Sequence, residues 1–355
     1  MAIAPRETFS PLVSSVGSTI SHAVLSRVVS RHQNERLSYD ALDRKSNSLA
    51  RGLVKLGVNK GDRVAVSLGN NIEHAIDDQV PLNPAFSSTQ VVAALSHLDA
   101  SHLIISTETN LPRKKPRRNE ALLRDIIPGI ESGQTESELV PSLKEVVVVD
   151  NSSGRVSTSA WKAVQHYQQV LEDGGSGAAL LGRNLCPDDV VNIQFTSGTT
   201  SMPKAACLTH MSILNNGKSI GDRMMLTPLD IVCCPPPLFQ DRILTHSSCF
   251  GCILGYMATA THGSSIVFPA EAFDAVATLR AVQEEKCTAL YGVPTMFVDE
   301  LELLQDGVVS SEGFQYLRTG IAAGSSIPAE LMRRLHRTLN LTELSRPSPL
   351  LKTPS

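Results

Sequence analysis

The densest run of chemically active side chains in this sequence has the composition of a phosphate-binding loop. It comprises Thr196, Ser197, Gly198, Thr199, Thr200, Ser201, Met202, Pro203 and Lys204. Hydroxyls and backbone N–H groups donate to phosphate oxygens, a glycine lets the main chain approach, and a lysine adds positive charge. The run follows neither the period of two nor the period of 3.6 that packing requires. It is not a Walker A loop. The alternative is an ordinary surface loop rich in Ser and Thr.

The elements that must position this loop read as alternating strands and helices. We predict strands at Arg63–Leu68, His102–Ile105, Glu145–Val149, Val190–Phe195, Ile231–Cys234, Ser265–Phe268 and Thr288–Leu290. We predict helices at Tyr39–Leu56, Phe273–Glu285 and Ala329–Leu339. Ser38 is the expected cap of the first helix and Gly57 its expected end. This alternation indicates an α/β fold with largely parallel sheets.

Composition narrows the classes of function. The chain has 355 residues, 42% hydrophobic and 19% charged, which predicts a globular protein with two subdomains. A net charge of −3 gives no reason to expect a nucleic-acid partner. The longest apolar stretch, Cys249–Ala260, is too short to span a bilayer. Seven cysteines, an odd number, suit a reducing compartment, so we expect an intracellular protein, cytoplasmic before mitochondrial or peroxisomal.

Three further segments carry alternative interpretations. Cys249 and Cys252 form a lone C-x-x-C pair, which we interpret as buried small residues rather than a redox or metal site. The basic run 113–118 reads as a solvated loop rather than a nuclear signal or an anion-binding patch. The Ser-rich start weakly resembles a mitochondrial transit peptide, but a first helix over Ile20–Val29 is favoured.

The motifs, taken in order, resemble the adenylate-forming (AMP-binding) enzymes. The hydroxyl-rich run followed by Leu208-Thr209-His210 is similar to that family's phosphate loop, with Ser201 where glycine is commonest. Further matching motifs are Leu37-Ser38-Tyr39, Gly61-Asp62-Arg63-Val64 with Gly69-Asn70-Asn71, Val80-Pro81-Leu82-Asn83-Pro84, Tyr291-Gly292-Val293-Pro294-Thr295 and Gly320-Ile321-Ala322-Ala323-Gly324. The resemblance extends from about residue 38 to residue 344 and is strongest to medium-chain-type acyl-CoA synthetases.

The resemblance implies specific site residues. Thr196, Ser197, Gly198, Thr199, Thr200, Ser201 and Lys204 would bind the ATP phosphates, with Thr199 reaching magnesium through ATP. The substrate pocket would be lined by Phe239, Gln240, Gly292, Val293, Pro294, Gly320, Ala322 and Gly324. For these pocket segments, plain core packing and turn formation are the alternative.

Three departures from the family pattern set further expectations. The segment from Asn70 to Pro81 is short, so we expect one βα element to be missing. Gln240 stands where the family's acyl-pocket histidine is expected, and 241–248 reads as inserted sequence in which His246 is an alternative to that histidine. After Leu344 a proline-rich tail replaces the family's Tyr-Gly-x-Thr-Glu motif, so the ribose-binding aspartate, the hinge and the C-terminal lid with its lysine are expected to be absent.

We therefore expect an incomplete large N-terminal domain of two stacked αβα subdomains over 1–344, divided near 182/183, with 345–355 as a non-family tail. The implied reaction joins a carboxylic acid, probably a fatty acid, to coenzyme A with ATP and Mg²⁺, and no catalytic residue is assigned. The alternative is a catalytically inactive nucleotide-binding remnant or mis-spliced product. A peptide-synthetase adenylation domain is a weaker third interpretation.

Overall fold

The computed structural model of this chain describes residues 27–76, 79–177, 185–196, 204–239, 250–323 and 327–345. The strands, in chain order, are β1 (Arg27–Ser30), β2 (Glu35–Ser38), β3 (Val64–Ser67), β4 (Val80–Pro81), β5 (His102–Ser106), β6 (Glu108–Thr109), β7 (Arg117–Arg118), β8 (Glu145–Val149), β9 (Gln165–His166), β10 (Val190–Thr196), β11 (Lys204–Thr209), β12 (Ile231–Cys233), β13 (Ser265–Phe268), β14 (Ala289–Gly292), β15 (Thr319–Ala322) and β16 (Glu343–Ser345).

Helices occupy the connections between most of these strands. They are α1 (Tyr39–Lys55), α2 (Ile72–Ile76), α3 (Ser88–Leu98), α4 (Glu120–Ile126), α5 (Tyr167–Gly174), α6 (His210–Arg223), the π-helix Phe250–Met257, α7 (Ala258–Thr261), α8 (Ala275–Glu285), α9 (Pro294–Gln305) and α10 (Ala329–Leu339). The α/β alternation predicted from the sequence is confirmed.

Two sheets organise the fold. The larger has the order β16-β15-β14-β12-β13-β1-β2 and the smaller β4-β3-β5-β8-β9. Every neighbouring pair in both sheets is parallel except β1–β2. Two antiparallel pairs, β10–β11 and β6–β7, stand outside these sheets. The parallel strands are buried on both faces, which explains runs such as Val146–Val149 in which every residue is apolar.

One hydrophobic core joins the two sheets through helix α1. Its members include Val66 and Val147 from the smaller sheet and Val232 and Ile266 from the larger sheet. Helix α1 begins where predicted, because the Ser38 side chain accepts a hydrogen bond from the Ala41 backbone N–H. Its leucines 42, 49 and 53 are buried on one face, as its spacing predicts.

The predicted helix Ile20–Val29 is wrong where the structure describes it, because Arg27–Ser30 forms strand β1. Residues 20–26 lie outside the described residues. Val28 and Val29 are 0% and 1% exposed and belong to different core clusters, one on each side of the sheet. β1 lies between β13 and β2 and pairs with both. Pairing with distant β13 buries both β-branched side chains, and no local pattern reveals this.

The short segment between β3 and β4 makes a complete parallel crossover. Residues 77 and 78 are not described, but the rest includes the five-residue helix α2, and Ala65 pairs with Val80 in parallel register. A βα connection is therefore present here, in reduced form. The Ile193 N–H donates to the Gln79 carbonyl at 3.0 Å, so hairpin β10–β11 lies beside this edge of the smaller sheet.

Candidate functional site

The two strands that flank the predicted phosphate loop form an antiparallel hairpin. Its pairing runs from Val190 with Thr209 to Thr196 with Lys204. The two ends of the loop therefore leave from directly paired positions. Of the predicted phosphate ligands, Thr196 and Lys204 are placed by their backbone alone, whereas Ser197, Gly198, Thr199, Thr200 and Ser201 lie outside the described residues. The predicted contacts of this loop with ATP remain predictions.

The hairpin is held between two parts of the core. Phe195, 8% exposed, belongs to the core of the smaller sheet. Val191 and Leu208 pack instead against the cluster that contains residues of α6 and the π-helix. A register shift between Val190 and Asn192 accompanies this division. The Thr209 hydroxyl accepts from the Ser212 backbone N–H at 3.2 Å and caps α6. The loop is thus carried by a fixed base.

Most of the described substrate-pocket residues meet at one edge of the larger sheet. Strands β15, β14 and β12 are neighbours and parallel, so their carboxyl ends share that edge. Phe239 follows β12, Gly292 ends β14 with Val293 and Pro294 after it, and Ala322 ends β15. Open α/β sheets bind ligands in the crevice outside the carboxyl ends of their strands. Gln240 and Gly324 lie outside the described residues.

Two glycines of this group are explained by close packing. A Cβ on Gly320 would lie 2.2 Å from the Leu290 carbonyl oxygen, inside the sheet. A Cβ on Gly292 would lie 2.9 Å from the Phe297 ring. Gly320 is within β15 rather than beyond its end, so tight strand packing accounts for its residue type. Gly292 occupies the last position of β14, at the crevice edge.

The π-helix packs directly beneath the segment that follows β12. The rings of Phe250 and Tyr291 stack with centroids 5.9 Å apart, and the Tyr291 hydroxyl donates to the Met224 sulfur at 2.9 Å. Burial raises the pKa of Tyr291 well above its ordinary value, so the phenol is neutral. A Cβ on Gly251 would lie 2.2 Å from the Pro237 carbonyl oxygen. This contact leaves the backbone of 236–238 little room to move towards the π-helix.

A polar network ties the amino ends of the same three strands. Asp230, just before β12, accepts from Arg318 Nη2 at 2.8 Å and from the Thr288 hydroxyl at 2.7 Å. Thr288 directly precedes β14 and Arg318 directly precedes β15. Burial alone would raise the pKa of Asp230, but the hydrogen bonds from Arg318 and Thr288 hold it below the ordinary value. The sequence analysis missed this network, because its members are far apart in the chain.

Two searches bear on the remaining expectations. Among the described residues, no three His, Cys, Asp or Glu side chains are grouped so that they could hold a metal ion. No helix in the part of the chain that is described has the length and hydropathy needed to cross a membrane. Thr199, the expected hydroxyl near magnesium, is outside that part.

Comparison with known proteins identifies a family. The family model described as AMP-binding enzyme matches residues 20–345. The acyl-CoA ligase SID4 of Ajellomyces capsulatus is 38% identical over 325 residues, which are 87% of this chain and 50% of that protein. The mitochondrial medium-chain acyl-CoA ligase ACSF2 of Danio rerio is 33% identical over 316 residues, 83% of this chain and 48% of that protein. This chain spans about half the length of the curated relatives it matches.

Solved structures show the same fold. The N-terminal domain of FACL13 from Mycobacterium tuberculosis superposes with a TM-score of 0.71 at 19% identity, covering 96% of this chain and 75% of that one. Apo MatB from Rhodopseudomonas palustris superposes with a TM-score of 0.69 at 20% identity, covering 97% of this chain and 60% of that one. The predicted fold, the N-terminal domain of adenylate-forming enzymes, is confirmed.

Proposed function

We propose, since this chain belongs to the AMP-binding enzyme family, that it carries the ATP-binding and carboxylate-binding part of an acyl-CoA synthetase. The proposed reaction begins with attack of a carboxylate on the α-phosphate of ATP, which releases pyrophosphate. The thiol of coenzyme A then attacks the acyl carbonyl and releases AMP. Residues 1–344 form the proposed AMP-binding domain, with its two parts divided near 182/183.

One structural observation carries this proposal. The carboxyl ends of β12, β14 and β15 meet at one edge, and each is followed by a segment expected to line the acid-binding pocket. At that edge Leu238, Val293 and Ala322 are buried, 3%, 1% and 2% exposed. They give the crevice an apolar wall that suits the hydrocarbon part of a carboxylic acid. A fatty acid is the proposed substrate class.

The hydroxyl-rich loop supports the nucleotide half of the proposal. Thr196, Ser197, Gly198, Thr199, Thr200, Ser201 and Lys204 would cradle the β- and γ-phosphates. Their hydroxyls, backbone N–H groups and one ammonium are donors that match phosphate oxygens. Magnesium would arrive with ATP, next to the Thr199 hydroxyl, and would neutralise phosphate charge. The compartment is also a proposal, and mitochondria are the first to test because that word stands in the name of the ACSF2 relatives.

The nucleotide half can be tested by direct binding. We expect Lys204→Ala to weaken MgATP binding, measured by calorimetry, by about tenfold or more, because the lysine supplies a charge-assisted contact to phosphate. Lys218→Ala is the matched control: Lys218 lies on the surface of α6 and pairs there with Asp222. Equal effects of the two substitutions would show that the loss is one of general charge, not of the loop.

The complete proposal is tested by pyrophosphate release with a panel of carboxylic acids. Acid-dependent release by the wild-type chain, lost in Lys204→Ala, would support the synthetase reaction. ATP binding without acid-dependent release would favour the inactive nucleotide-binding remnant. If the wild-type chain does not bind MgATP at all, both assignments are refuted.

A further inference from the structure

Asn70 links the turn after β3 in the smaller sheet to the segment after β12 in the larger sheet. Its side chain is 1% exposed. Asn70 Nδ2 donates to the Pro236 carbonyl at 2.9 Å, and Asn70 Oδ1 accepts from the Leu238 N–H at 2.8 Å. One side-chain amide therefore holds both sides of Pro237, 166 and 168 residues further along the chain.

The segment that Asn70 holds has almost no means of holding itself. Pro235, Pro236 and Pro237 have no N–H group, so no backbone donor exists between Cys234 and Leu238. The Cys234 N–H is used by the Val267 carbonyl in the sheet. The segment therefore depends on partners outside itself, because buried backbone groups must be paired. Asn70 supplies one donor and one acceptor, which matches what the prolines leave open.

Asn70 is itself held by a second layer. Its backbone N–H donates to the Glu271 carbonyl at 2.8 Å. The Glu271 carboxylate accepts from the side-chain amide of Asn151 at 2.7 Å and from that of Asn110. Asn151 follows β8 and Asn110 follows β6, so loops beyond the carboxyl ends of the smaller sheet all reach this glutamate. Gly69 permits the approach, because a Cβ there would lie 2.2 Å from Glu271 Cγ.

We propose that Asn70 is a positioning residue for the acid-binding crevice: it fixes the backbone of Pro236–Leu238, and so the placement of Leu238 and Phe239, from the opposite sheet. This inference rests on the proposed function for its purpose, although the hydrogen bonds themselves do not. The smaller sheet thereby sets the shape of a crevice built at the edge of the larger sheet. Asn70 acts through the main chain of this segment and need not touch the substrate.

Hydrogen exchange tests the contact without any ligand. Because the three prolines carry no amide hydrogen, exchange measured over residues 235–238 reports on Leu238. We expect Asn70→Ala to raise the exchange rate of that amide about tenfold or more, since a buried hydrogen bond has been removed. Asn70→Asp keeps an acceptor for Leu238 but cannot donate to Pro236, so its effect on Leu238 exchange should be smaller. This near-isosteric variant keeps the test usable if Asn70→Ala is poorly folded.

Asn119→Ala is the matched control. Asn119 is also 1% exposed and also bonds main chain, donating from Nδ2 to the Ser106 carbonyl at 2.8 Å. It should lower the melting temperature as Asn70→Ala does, yet leave Leu238 exchange unchanged. A rise of Leu238 exchange in both variants would mean general loosening and would overturn the assignment.

Binding of medium-chain fatty acids, measured by calorimetry in the presence of MgATP, tests the purpose. We expect both Asn70 variants to bind acid at least several-fold more weakly than wild type and MgATP equally well. Unchanged acid affinity with raised Leu238 exchange would refute the positioning role while leaving the proposed function intact. If the wild-type chain binds no acid, the proposed function fails first, and with it the purpose given to Asn70.

Discussion

The network around Asp230 allows a quantitative prediction for the variant Asp230→Asn. The carboxylate accepts two bonds from Arg318, at 2.8 and 3.2 Å, one from the Thr288 hydroxyl at 2.7 Å and one from the Thr227 N–H at 2.8 Å. Asparagine keeps the shape but loses the charge and turns an NH₂ group towards some of these donors. The amino ends of β12, β14 and β15 would then lose their shared acceptor.

The expected cost is about 2–3 kcal/mol. A hydrogen bond to a charged group contributes roughly 1.5–3 kcal/mol, and removal of one partner from a buried ion pair costs roughly 3–5 kcal/mol. The Asp230 side chain is 5% exposed but that of Arg318 is 34% exposed, so water compensates part of the loss and the lower range applies. With an unfolding entropy of about 2.1 cal/mol/K per residue, the melting temperature should fall by roughly 3–4 °C.

The pH dependence gives the sharper assay. The folded pKa of Asp230 lies below its unfolded value of about 3.9, so its stabilisation is present above that pH and disappears as the pH falls through the folded pKa. The difference in melting temperature between wild type and Asp230→Asn should be full at pH 6–7 and shrink below about pH 4. Asp222→Asn, which removes an exposed pairing with Lys218, should change stability less. A melting temperature of Asp230→Asn within 1 °C of wild type at pH 7 would refute this account.

Two further predictions follow from single contacts. Gly251→Ala should lower the melting temperature and weaken acid binding, because its Cβ would meet the Pro237 carbonyl at 2.2 Å, whereas Gly177→Ala, with its nearest neighbour at 3.7 Å, should be neutral; equal melting curves would contradict this. Glu300 is 0% exposed, and neither of its carboxyl oxygens has a hydrogen-bond partner within the described residues. Burial raises its pKa well above the ordinary value, and the unfolded chain then releases this proton first, so the carboxyl costs stability increasingly as pH rises from about 4.3. Glu300→Gln should therefore melt higher than wild type by a margin that grows between pH 5 and pH 8, and a constant margin in thermal melts would count against a buried neutral acid.

Several elements could be predicted from local pattern alone. Ser265–Phe268, Glu145–Val149 and Ala329–Leu339 have the bounds that their sequence predicts. Helix α8 begins at Ala275, two residues later than expected, because the Asp274 side chain caps it by accepting from the Ala277 N–H. These features depend on interactions between residues a few positions apart, which a linear sequence displays directly.

Strand β1 and the contacts around the crevice depend on distant partners. Arg27–Ser30 becomes a strand because Val28 pairs with Ile266, far along the chain. Asn70 reads as an ordinary turn residue, yet in the structure it bonds the main chain of Pro236 and Leu238. A polar residue in a turn has no local signal that names its partner, since the partner is chosen only when two sheets come together.

By itself the sequence determined the α/β class, most element positions and the composition of the phosphate loop, because periodicity, caps and residue chemistry act over a few neighbouring positions. The tertiary structure alone decided which strands became neighbours, and so which strand ends meet to form a crevice. It also decided that a proline-rich segment with no donors of its own is held by an asparagine from the other sheet. Such pairings depend on burial and hydrogen-bond satisfaction across the whole fold, and these quantities exist only once the chain is packed.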